Sequence, residues 1–216
     1  MKYPLLFIAL TFAISNCTPP ATNPVAEATG MAEIFTENEL EDLQAMLQLF
    51  ETQQCALLEE SATDLADCYH AFAVAVVNGQ PGTDYLPISY EAQHITFGDF
   101  HSGTLATFWN NQMLMRADDP NKQIMTLVYQ PEGKIQTYLD LLGEEYILIK
   151  QYADTFRNIH TITPKMEEDV LRNLKVFNLA DIRVRVFLAV HFLTLNDNYK
   201  RRGNLPVQVT SPEVDS

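Results

Sequence analysis

Positive charge is scarce in this chain: 14 Lys and Arg stand against 28 Asp and Glu, a formal net charge of −14. Without surplus cations to displace phosphate counterions, nucleic acid is excluded as a partner, and the same sign argues against electrostatic docking on anionic lipid headgroups. Long apolar runs are also missing, since the run from Tyr3 to Ile14 falls short of the ~20 residues a spanning helix needs. Cysteine is limited to Cys17, Cys55 and Cys68. Neither a C-x-x-C pair nor a clustered histidine accompanies them, so a redox or metal site has no support. With no H-E-x-x-H, no G-x-S-x-G and no internal repeat, the chain carries no catalytic signature and implies no cofactor.

What remains is an ordinary globular composition, 47% apolar and 19% charged over 216 residues, enough for one domain with a real core. The chain opens on Met1 and Lys2, continues through the apolar run, and reaches Ser15, Asn16 and Cys17. These are the proportions of a signal peptide. Ile14-Ser15-Asn16-Cys17 resembles the lipobox of bacterial lipoprotein signal peptides. That resemblance implies a thiol carrying diacylglycerol (palmitate or a similar acyl chain), loss of residues 1–16, and lipid anchorage in the cell envelope. The folded part would then lie in the periplasm or at the cell surface. Two or more acyl chains at about 0.8 kcal/mol per buried CH₂ hold such a protein on a bilayer without a second anchor. Thr18, in place of the Asp that retains some lipoproteins at the inner membrane, favours the outer membrane. Two other readings stay open: a plain secretory signal cut nearby, and a buried N-terminal helix.

Residues 17–33, rich in proline and small polar side chains and without apolar periodicity, read as a flexible tether. Residues 34–204 form the expected helical domain, and residues 205–216 a disordered tail. The fold class is all-α, a bundle of about five to seven helices opened by an αα-hairpin, with room for one short strand pair in the middle.

Thr36-x-x-Glu39 is a capping box, with Phe35 and Leu40 placed as a hydrophobic staple. Leu40, Leu43, Met46, Leu47, Phe50 and Leu57 or Leu58 then mark one face of a helix over 37–60. A second helix starts at Ser61 with Asp64, passes Leu65, Phe72, Ala75 and Val76, and stops at Asn78-Gly79 and Pro81-Gly82. Two more run over 131–142 and 144–158, divided at Gly143, the second with Leu148, Tyr152, Phe156 and Ile159 on its apolar face. Thr163-Pro164 starts another, buried through Met166, Val170, Leu174 and Phe177. Ala180 to Tyr199 is apolar around most of its circumference and is expected to be the most buried helix, although Ile182-Arg-Val-Arg-Val alternates like a strand. Between 83 and 130, Leu105, Phe108, Trp109 and Met113 suggest a helix, whereas 123–129 fits a strand equally well.

Cys55 and Cys68 lie on either side of the turn near Ser61, so an antiparallel hairpin brings them to similar height, and export into an oxidising compartment favours a disulfide. Cys55 falls over about 100° from the centre of its apolar face, so the bond needs the first helix to bend or end early. Two separate thiols are the competing outcome.

Glu91-x-x-His94 and Asp67-x-x-His70 have the spacing of di-iron bundles, but Asp67 and His70 point away from the apolar face of the second helix and Glu91 sits in a Pro/Gly-flanked region, so solvated surface pairs are expected instead. Glu91, His94, Asp99 and His101 are the densest titratable group, interrupted by Phe97, Gly98 and Phe100. His94, Asp99 and His101 are the candidate ligand-binding residues of an irregular loop. His191, Arg183 and Thr194 share one face of the last helix and call for buried partners. Lys200-Arg201-Arg202 suits a helix C-terminus, and Trp109 with Asn110 and Asn111 reads as core or boundary. The leading function is a lipid-anchored, exported, non-catalytic protein that binds another envelope component through a helix face or groove. The alternative is an envelope enzyme or small-ligand binder using the Glu91–His101 loop.

Overall fold

The computed structural model describes residues 22–58, 64–78, 86–115, 123–130 and 133–202. The expected signal peptide, Cys17 and the tail 205–216 lie outside the described residues. Among those described, nine α-helices, one 3₁₀ turn and a two-stranded antiparallel sheet form an all-α bundle with one small hairpin. The helices are α1 (Met31–Ile34), α2 (Glu37–Cys55), α3 (Leu65–Asn78), α4 (Tyr90–Gly98), α5 (Thr104–Phe108), α6 (Lys134–Gly143), α7 (Ile147–Ile159), α8 (Pro164–Asn173) and α9 (Ile182–Arg202). The strands are β1 (Trp109–Met115) and β2 (Gln123–Tyr129), and the 3₁₀ turn spans Leu174–Val176.

Local signals in the sequence explain several of these boundaries. Thr36 Oγ1 accepts from the Glu39 amide while Glu39 Oε2 accepts from the Thr36 amide, so the capping box starts α2. Thr163 caps α8 through the Met166 amide, and Pro164 occupies the first turn, where no N–H is required. α2 ends at Cys55 rather than near residue 60, and Leu57 is exposed. That early end is the condition the disulfide required: Cys55 and Cys68 are bonded with their Cα atoms 4.6 Å apart. α2 and α3 thereby form the expected αα-hairpin.

α9 is the central post. Residues from Val184 to Asn198 are buried at nearly every position, so a helix wrapped on all sides accounts for the apolar circumference. Its strand-like opening resolves into two ion pairs: Arg183 grips Glu145 with both guanidinium nitrogens at 2.9 and 3.0 Å, and Arg185 reaches Glu51 at 2.8 Å. Phe50 and Phe72 of the hairpin pack on Phe192, with Phe72 only 4.8 Å from it between ring centroids.

Two expectations need correction. Trp109 and Met113, spaced as on a helix, lie on strand β1, because α5 stops at Phe108 and Trp109 pairs with Tyr129. The hairpin is the strand pair for which the sequence left room. The flexible tether expected over 17–33 does not extend over 22–33. Asn23 Oδ1 accepts from the Val25 and Ala26 amides, and Val25 and Met31 are fully buried in a core that other elements supply. Gly30 turns this segment at φ +81°, and a Cβ there would come 2.7 Å from Leu141 Cδ2.

Candidate functional site

The candidate residues around α4 are placed separately. Glu91 and His94 are helical, not in an irregular loop, because Ser89 caps α4 by accepting from the Ala92 amide. His94 turns to α9, its Nε2 3.4 Å from Asp197, which is buried and also held by Arg201. Tyr90 lies against the His94 ring with centroids 4.2 Å apart. His101 turns to α2: Asp42 accepts from the His101 amide at 2.9 Å and stands 3.0 Å from Nδ1, with Glu41 at 3.6 Å from Nε2. Asp99 ends α4 and lines an open surface recess with Asp42, Thr96 and Phe100. Asp99 and the Asp42–His101 pair therefore neighbour one recess, while His94 serves a different contact. Each imidazole is oriented by a carboxylate, an arrangement that could make a base. Neither bonds to a hydroxyl or thiol among the described residues that it could activate.

Polar groups on α9 pair inside the core. His191 is fully buried, its Nδ1 sharing a 3.0 Å hydrogen bond with the Tyr152 hydroxyl. Burial alone pushes its pKa down to about 3, so the ring is neutral. Thr194 accepts from Trp109 Nε1 at 2.8 Å, and Arg183 is held by Asp181 and Glu145. Trp109 is core, as its composition suggested. No group of three or more His, Cys, Asp or Glu among the described residues could hold a metal ion, and no helix among them is long and apolar enough to cross a membrane.

A more extended recess lies elsewhere among the described residues, between α3 and the α8–3₁₀ segment. Ala66, Tyr69, His70, Ala73 and Val77 recur at intervals of three and four, so they fall on one stripe of α3 and make one wall. Pro164, Glu167, Glu168, Leu171 and Arg172, continued by Leu174 and Lys175, make the other by the same spacing. Two hollows of about 590 and 510 Å³ share Leu171 and Arg172 in their lining, so they adjoin along α3 as one grooved face. Ala66 and Ala73, two turns apart, leave room in the groove on either side of Tyr69 and His70 because neither carries a side chain beyond Cβ. Its floor is fixed by Tyr69, which donates to Glu51 Oε1 at 3.3 Å and stays protonated through burial and the Glu51 charge. At the near end Tyr199 of α9 donates to Glu167 Oε2 at 2.8 Å; at the far end stand Lys175 and His70. Val77, at the near mouth, is 73% exposed.

The opposite face of α8 bounds a separate cavity of about 250 Å³ against α7, floored by Tyr152 and Phe187. α8 thus stands between two hollows and meets the core through Met166 and Val170. The groove was not visible in the sequence, since its α3 stripe mixes small, aromatic and polar residues and declares no partner. The one available signal was the alanine pair seven residues apart, about a quarter turn round α3 from Phe72 and Val76. No family model matches this chain, and neither does any curated protein or solved structure.

Proposed function

We propose that the chain is a lipid-anchored, exported binding module, fixed to the bacterial envelope through Cys17, that receives a segment of another envelope protein in the groove between α3 and α8. The adjoining of two hollows along one face of α3 carries the reading. The groove runs the length of α3, has apolar side chains on both walls, and has the Glu167 carboxylate near one end and the Lys175 cation at the other, which suits an elongated apolar segment held in one direction. The two histidines of the α4 region are instead held by carboxylates of α9 and α2, and among the described residues neither bonds to a hydroxyl or thiol that it could activate. Outer-membrane attachment follows from Thr18 under the same lipoprotein reading.

Site-specific photo-crosslinking in intact producing cells tests this. A photoreactive residue in place of Ala73 or Leu171 is expected to trap a discrete envelope protein, and Val77→Asp at the groove mouth to reduce that product several-fold. Equal trapping from Ile147, an exposed apolar position away from the groove, would contradict the docking role.

A further inference from the structure

Resting on the groove reading above, we infer that the first occupant of the α3/α8 groove is the chain's own segment Leu205–Val209, which a partner must displace. The exit of the chain points there. Tyr199 lies at the near mouth of the groove, and α9 ends one turn later at Arg202, so the described part of the chain ends close to that mouth. Length agrees: α3 has 14 residues, about 21 Å at 1.5 Å per residue. An extended chain covers ~3.3 Å per residue, so residues 203–209 span about the same distance.

Pattern agrees as well. Leu205, Val207 and Val209 alternate with Pro206 and Gln208, which puts the three apolar side chains on one face of an extended segment. Pro206 withholds an N–H and biases Leu205 away from helical geometry, so continuation of α9 is disfavoured and the extended form favoured. Charge then sets the direction. Glu167 lines the near end beside Glu168, whose charge Arg172 pairs, whereas Lys175 and His70 stand at the far end. The acidic residues of the tail, Glu213 and Asp215, follow the apolar stretch. A segment entering at Tyr199 therefore carries its carboxylates past the acidic end and toward the cation.

The test uses the full mature chain with a photoreactive amino acid at Val207, irradiated and mapped by mass spectrometry. The expected product is an intramolecular link to residues 66–77 or 164–179, its yield unchanged on tenfold dilution. Lys175→Glu and Val77→Asp, both on the surface, should each lower that yield at least threefold with an unchanged circular dichroism spectrum. Links to other parts of the chain, dilution-sensitive links between copies, or yields indifferent to both substitutions would overturn the inference. Partner trapping from position 73 with no Val207 link to the groove would also overturn it while leaving the docking role intact. Loss of both products would remove the two together.

Discussion

Asn198 of α9 occupies both backbone groups of Leu127 on β2: its Oδ1 accepts from the Leu127 amide at 2.8 Å and its Nδ2 donates to the Leu127 carbonyl at 3.0 Å. Oδ1 also accepts from Thr126 Oγ1 at 2.5 Å. A side chain thus plays the part of a third strand and closes the inner edge of a two-stranded hairpin that would be marginal alone. Asn198→Ala is expected to destabilise the protein by ~1–3 kcal/mol, because buried backbone groups lose their partners. Amide exchange should rise across 109–115 and 123–129 before it rises in α2. Uniform exchange would show that the carboxamide does not hold the hairpin.

The Cys55–Cys68 bond ties the end of α2 to the first turn of α3. Replacing both cysteines by alanine should lower stability by about 3 kcal/mol, the loop-closure value for a separation of this size. Urea unfolding of the oxidised protein against the double variant measures it. Alkylation of the exported protein at both thiols under non-reducing conditions would contradict the crosslink.

Acid should weaken the fold through His191. Its folded pKa of about 3 lies below the ordinary value of 6.5, so the unfolded chain takes up this proton first as pH falls. Stability is therefore whole above pH ~6.5 and declines toward pH ~3 by up to about 1.4 kcal/mol per pH unit from this group. His191→Phe combined with Tyr152→Phe removes both members of the buried hydrogen bond and should cost little at pH 7 while flattening this slope. An unchanged slope between pH 6.5 and 4.5 would show that the ring does not titrate with unfolding.

The segment before α1 should behave as part of the domain. Gly30→Ala places a Cβ against Leu141 and asks alanine to adopt positive φ, which is expected to cost about 1–2 kcal/mol. Thermal melts measure the loss, and limited proteolysis should cut within residues 22–35 faster than in the parent. A flexible tether would make both measurements indifferent to the substitution.

These tests mark where sequence pattern suffices. Thr36 with Glu39 and Thr163 with Pro164 declare helix starts because capping is local, and Val184 to Leu195 declare a buried helix because apolar side chains cover most of its circumference. Trp109 and Met113 mislead because a four-residue interval also occurs on a strand, and only pairing with Tyr129 and Met125 decides between them. Val25 and Met31 carry too little apolar surface to show a period of their own, yet fill space that α6 and its neighbours create. The groove is least legible of all, being an absence of side chain at Ala66 and Ala73 between elements about 100 residues apart in the chain.

The proposed envelope role rests on the proposed export and anchorage through Cys17, and intact-mass spectrometry of the protein extracted by detergent from producing cells tests them most directly. The expected species begins at Cys17, lacks residues 1–16 and carries the added mass of a diacylglyceryl group, lost in Cys17→Ser. A species that retains Met1, or one cut nearby without acyl mass, would contradict lipid anchorage through Cys17.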